Sequence, residues 1–248
     1  MRARTWIAVA AGVAVLAAGA RAGDPWKEKK FTAWNEKDIR KVMTDSPWAR
    51  DVRVDAGWKI GAKTGAPSGA GSNDPSYTSG GGTAAAQPKI ARVSGLDGRP
   101  EAIFFVRWMS SRVIRGVLLR NQITRGQIQA AQAEKLLEES PPTYWLEVSG
   151  EDMTPFKGLA EKTLADKTQL KSPAWQEPLK PFRVGIVQNP QDKSVISVQF
   201  HFPRQKPDGS TFITGNEKYV EFVCATEHAA LKAKFEMAKM RDAGGNDW

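Results

Sequence analysis

The stretch Ala102-Ile103-Phe104-Phe105-Val106-Arg107-Trp108-Met109 decides how the rest of the chain is read. Ala102, Phe104, Val106 and Trp108 alternate with Ile103, Phe105, Arg107 and Met109, and both sets are mostly apolar. Neither face of such a strand can remain in water, so the run predicts a central strand. Ser111 follows as a helix cap, with Val113, Ile114, Val117 and Leu118 on the buried face of the helix.

C-terminal to this unit, Thr124 and Gln127 have capping-box spacing and predict a second helix reaching Glu139. Pro141-Pro142 ends it, and Tyr144, Leu146 and Val148 mark a second strand. Signals from 152 to 181 are mixed, with a short helix expected around 159–166. Three strands follow at 182–188, 195–202 and 219–225, separated by the turn signals Asn189-Pro190 and Pro207-Asp208-Gly209. Leu231, Ala233, Phe235 and Met237 alternate with Lys232, Lys234, Glu236 and Ala238. Two-fold alternation favours a strand there over a helix.

N-terminal to the central strand, Asn35 caps a helix, with Asp38 near its free N–H groups. Trp34 and Ile39 have the spacing of a hydrophobic staple. Ile39, Val42 and Met43 share a face, and Ser46-Pro47 stops the helix. Val52, Val54 and Ala56 then alternate with charged residues, as in a half-buried strand. The order of elements predicts an α+β fold: a mainly antiparallel sheet with helices packed on one face, plus a small N-terminal helix-strand module.

The domain plan follows. Residues 1–22 read as a signal peptide: Arg2 and Arg4, an apolar run from Trp6 to Ala18, and Ala20-Arg21-Ala22 before Gly23. The helix-strand module occupies 23–59, a Gly/Ser/Pro-rich flexible loop 60–88, the core domain 89–240 and a C-terminal tail 241–248. The expected location is secreted or periplasmic, with no transmembrane segment in the mature chain. The 248 residues carry a formal charge of +9. Loss of the leader removes Arg2, Arg4 and Arg21 and no acid, which lowers the balance to about +6 and still favours anionic partners.

The stretch Trp34-Asn35-Glu36-Lys37-Asp38-Ile39-Arg40-Lys41-Val42-Met43-Thr44-Asp45-Ser46-Pro47-Trp48-Ala49 resembles the opening motif of a group of uncharacterised exported bacterial proteins, seen often in acidobacteria. Val106-Arg107-Trp108, Phe200-His201-Phe202-Pro203-Arg204 and Val220 to Val223 are similar to later segments of that group. The resemblance implies export and a single protein type, and it carries over no functional residues.

One cysteine and two histidines exclude a disulfide scaffold and a thiolate- or histidine-rich metal centre, so no metal or cofactor is expected. Cys224, flanked by Val223 and Ala225, reads as a buried, inert thiol. There is no Gly-x-Ser-x-Gly elbow, Walker loop or dinucleotide fingerprint. The balance favours a non-enzymatic binding or structural protein, with a protein partner or a second copy of itself. Its contact residues are expected to be Trp48, Arg107, Trp108, His201 and Arg204. A secreted hydrolase using Asp45, Asp51 or His201 is the first alternative, and the carboxylates Glu147, Glu151 and Asp152 form a further acidic group. A binder of anionic polymer through Arg107, Arg112, Arg115 and Arg120 together with Arg204, Lys206, Lys232 and Lys234 is the second. Trp26, Trp34, Trp48 and Trp58 are expected to pin the opening module onto the main domain.

Overall fold

The computed structural model describes residues 23–56 and 101–248. The leader at 1–22, the Gly-rich loop at 60–88, Trp58 and the start of the core domain at Lys89 lie outside them. Two short turns of helix open the described chain: α1 (Pro25–Glu28) and a 3-10 turn over Phe31–Ala33. Helix α2 (Glu36–Thr44) is closed by the expected cap. The Asp38 N–H donates to the Asn35 side chain at 3.0 Å, and the Asn35 N–H donates back to the Asp38 carboxylate at 3.2 Å. The sequence from Trp34 onward therefore encodes the start of α2 locally.

Strand β1 (Ala49–Asp55) follows, then β2 (Glu101–Trp108), α3 (Arg112–Thr124), α4 (Ala130–Glu138) and β3 (Thr143–Gly150). The Thr124–Gln127 pair does not cap α4. Thr124 is the last residue of α3, and its hydroxyl donates to the Arg120 carbonyl at 2.9 Å. Helix α4 starts six residues further on, at Ala130, after Gln129. The mixed region contains α5 (Glu161–Asp166) and β4 (Thr168–Lys171), a strand too short to show alternation. Strands β5 (Arg183–Gln188), β6 (Val195–Pro203), β7 (Tyr219–Ala225) and β8 (Ala230–Glu236) stand where the alternation placed them. The β8 segment is a strand, not a helix.

The architecture is α+β, and every strand pair is antiparallel. The long strands divide between two sheets, ordered β1-β2-β3-β6-β5 and β4-β7-β8. Register explains the division. Val106, Val148, Val198 and Ile186 lie in one row across four strands, and Trp108, Leu146, Phe200 and Val184 form the next. In the smaller sheet, Leu170, Phe222 and Ala233 make a row, as do Thr168, Cys224 and Leu231. Each sheet thus has one apolar face, and the two faces cover each other. Trp108 meets Phe235 edge-on at 5.2 Å between ring centroids, and Phe200 meets Phe222 at 5.4 Å. Cys224 is buried in this layer, where burial pushes its thiol up to about 11. That is the environment of an unreactive cysteine.

Helix α2 packs on β1 and α3, and α3 packs on α4 and the Phe31–Ala33 turn. The contact with that turn is close. A Cβ on Gly116 would lie 3.0 Å from Phe31 Cβ, so a larger residue there would press on the Phe31–Ala33 turn. Trp26, Trp34 and Trp48 are all buried, and they join the opening module to the core.

Residues 241–248 are not a trailing tail. Strands β9 (Arg241–Asp242) and β10 (Gly245–Asn246) form a small hairpin. The next residue, Asp247, is 4% exposed. Its backbone carbonyl accepts the Trp48 indole N–H at 2.6 Å, and its own N–H donates to Met240 at 3.0 Å. Trp48→Phe keeps most of the ring and removes that donor. The expected cost is about 1–3 kcal/mol, because the Asp247 carbonyl is left unpaired in the interior. Urea denaturation would show it as a lower midpoint with an unchanged slope.

Candidate functional site

The N-terminus of α3 is where the N-terminal module, β2 and the C-terminal hairpin meet. Its free N–H groups are all satisfied. Ser111 N–H donates to the Trp108 carbonyl at 3.3 Å. Arg112 and Val113 N–H groups donate to the two oxygens of the Asp247 carboxylate at 2.6 and 3.0 Å. Ile114 N–H donates to the Ser111 hydroxyl oxygen at 3.2 Å. This helix end therefore offers nothing to an outside anion, because Asp247 already occupies it.

Beside it lies an open cleft of about 500 Å³. Arg112 and Arg115 reach it from α3, and Arg204 from the segment after β6. Ser110 forms part of its floor, and Trp248 part of its wall. Each arginine is placed differently. Arg112 donates to both oxygens of Asp242, at 3.0 and 2.7 Å, and is neutralised there. Arg115 is fixed by the carbonyls of Leu136, Leu137 and Glu139 at the C-terminal end of α4. It is half-buried, and among the described residues it forms no ion pair, though Asp247 and Glu139 act on it from further off. Arg204 lies over the Tyr144 ring, 5.3 Å from its centroid. It is also half-buried, and among the described residues it forms no ion pair.

Ser110 is 3% exposed. Its hydroxyl oxygen accepts the Trp145 N–H at 3.2 Å. Its own O–H donates to no group among the described residues, so a buried donor remains on the cleft floor. Trp248 is held against Gly215, where a Cβ would sit 3.3 Å from the indole. Gly215 also has φ +92°, which no L side chain adopts cheaply. The rim carries Glu134, Glu138 and Glu139, all exposed.

The residues expected to make contacts divide sharply. Trp48 and Trp108 are fully buried and serve as core. Arg107 is 4% exposed, donates to the Met43 carbonyl at 3.0 Å and to the Ser149 hydroxyl at 2.8 Å, and does not reach the surface. These three are corrections, and the cause is packing. The strand of Arg107 and Trp108 is covered on both faces, and Trp48, in the turn before β1, is enclosed between Trp26 and the Asp247 carbonyl. Arg107 lies in the row of Glu147, Gln199 and Gly185 on the face opposite the inter-sheet core. Burial raises the Glu147 carboxyl above its ordinary range. His201 is half-exposed and stacks on Trp145 at 5.7 Å and 14°. Burial and the neighbouring Arg183 lower its pKa. It lines neither this cleft nor the smaller one next to it. Of the expected contact residues, Arg204 alone stands in the cleft.

Of the arginines in the polymer reading, Arg112, Arg115 and Arg204 border one cleft, but Arg107 and Arg120 do not, so the set forms no continuous face. Arg107 is interior, Arg112 is paired, Arg115 braces α4, and Arg120 donates to the Trp34 carbonyl at 3.0 Å. Asp45 and Asp51 are exposed, and neither they nor His201 line the cleft. Among the described residues no group of three or more acidic, histidine or cysteine side chains can hold a metal ion. No helix among them is long and apolar enough to cross a membrane. No family model, curated protein or solved structure matches the chain.

Asp247 makes the region sensitive to pH. Burial and the nearby Asp242 push its carboxyl up to about 6, against its two N–H donors and Arg112. The ordinary value is 3.8. The folded chain thus holds a proton there that the unfolded chain releases, and this contribution to stability is lost as pH rises from about 4 through 6. The change is about 3 kcal/mol at most. Asp247→Asn should abolish the slope, so that wild type loses ground to the variant between pH 4 and 7 in thermal melts.

Proposed function

We propose that this chain is an exported binding protein that holds the anionic head of a small ligand in the arginine cleft. The observation that carries the reading is Arg204: a half-buried guanidinium, without an acidic partner among the described residues, on the wall of a cleft. Arg115 adds a second positive charge whose hydrogen bonds all go to neutral carbonyls. Ser110 adds a hydroxyl proton. The rim glutamates oppose this field but stand in solvent, where charges interact weakly and are screened within about 8–10 Å. The half-buried guanidiniums and the buried Asp247 carboxylate, which also lines the cleft, lie where the dielectric is lower; Asp247 offsets part of the positive field at Arg115, and Arg204 supplies the charge that no acid among the described residues pairs.

Among the described residues the cleft brings together the hydroxyl of Ser110, three guanidiniums and the acids Glu134, Glu138, Glu139 and Asp247. Export rests on the sequence of residues 1–22.

Two measurements test this reading. Acetate titrated at low ionic strength should give saturable millimolar shifts in the amide spectrum around Ser110 and Arg115. Arg204→Ala should weaken binding at least tenfold with the fold intact, since an ion-paired hydrogen bond contributes about 1.5–3 kcal/mol. A linear, unsaturating response would remove the anion site. Separately, intact mass of the protein recovered outside the cytoplasm should correspond to a chain starting at Gly23. A retained leader would contradict processing.

A further inference from the structure

The cleft does not stand alone. A smaller cavity of about 210 Å³ adjoins it, and Lys30, Phe31, Arg112, Glu134 and Leu137 line both. The walls of the second lobe are largely apolar: Trp26, Phe31, Trp34, Val113 and Leu137. Resting on the anion reading above, we infer that the ligand is an amphiphilic organic acid, with its carboxylate at Arg115 and Arg204 and one ring-sized apolar body in the smaller lobe.

Three features support this pairing. The first is size. An apolar cavity of about 150 Å³ admits a benzene ring, so the smaller lobe is of the right order for one ring with a short linker. The second is chemistry. Guanidinium groups match the planar carboxylate fork, and indole and phenyl walls offer faces and edges for an aromatic ring. The third is the boundary between the lobes. Arg112 stands there, but Asp242 holds its guanidinium in two hydrogen bonds. An apolar group crossing from one lobe to the other therefore meets no unpaired charge from Arg112, while Lys30 and Glu134 also border both lobes. A bare inorganic anion would leave the smaller lobe unused. A polymer would need charge spread along a surface, and the arginines are not so arranged.

The test compares acetate with 4-phenylbutyrate on the whole mature chain, by calorimetry and amide shifts. The expected result is binding of 4-phenylbutyrate at least tenfold tighter than acetate. Removing about 55 Å² of apolar surface from water is enough for that gain. Ala243→Phe, at a residue that lines only the smaller lobe, should fill that lobe, erase the gain and leave acetate binding unchanged. Should that variant fail to fold, nuclear Overhauser contacts between the ligand ring and the Leu137 methyls in the wild type decide the point. Equal affinities for the two acids, or ring contacts elsewhere, would overturn the amphiphile and leave the anion site standing. Absence of saturable binding by both would overturn the anion site itself.

Discussion

One residue near the end of the chain holds the ends of three segments together. The Asp247 carboxylate closes the first turn of α3, and its backbone carbonyl accepts the indole proton of Trp48. Trp48 in turn accepts the Trp108 N–H on its own carbonyl at 2.8 Å, at the end of β2. A helix start, a strand end and the entry to β1 are thus linked through two side chains. The arrangement is costly in one respect, because a carboxylate is taken out of water. Two backbone donors and Arg112 offset that cost only in part, since the carboxyl remains raised. The cleft inherits its geometry from this junction. Arg112 and Arg115 are aimed by the start of α3, and Trp248 is the residue that follows Asp247.

The two sheets are held by shape more than by polar contacts. Rows of Val, Leu, Phe and Trp cross the strands in register, and the aromatic rings between the sheets meet edge-on. A one-residue slip would turn the Val106 row outward and bring Arg107 and Glu147 into the inter-sheet core, so the register is strongly specified. The opposite face shows the contrast. It carries the row Arg107–Glu147–Gln199 with Ser149 and Ser197, and its buried groups bond one another or the Met43 carbonyl. Breaking one member of such a network leaves the others unpaired, which is why Arg107 belongs to the structure and not to a surface.

Positive charge is therefore a poor guide to the site until partners are known. Four of the basic side chains singled out by spacing hold carbonyls or carboxylates of this same chain. Arg204 differs because the segment after β6 sets it on the Tyr144 ring, with no ion pair among the described residues. Its place in Phe-His-Phe-Pro-Arg brought it to notice, and nothing local to that motif reveals what it faces. Ser110 and Trp248 carried no signal at all. One is an ordinary serine between a strand and a helix, and the other follows a glycine-rich hairpin.

What the sequence determined alone is the set of elements whose cause is local. Alternation placed β1, β2, β3 and β5 to β8. Asn35 and Ser111 started their helices with their own side chains, and flanking apolar residues foretold the buried Cys224. Local rules failed where the partner is distant. Thr124 bonds back into its own helix instead of forward, β4 is a strand because β7 pairs with it, and residues 241–248 are structured because Trp48 and α3 accept them. The split into two sheets and the convergence of Arg115, Arg204 and Ser110 also belong to tertiary structure. Periodicity reports which side of an element avoids water. It does not report which other element covers that side, and the cleft is formed where several such coverings meet.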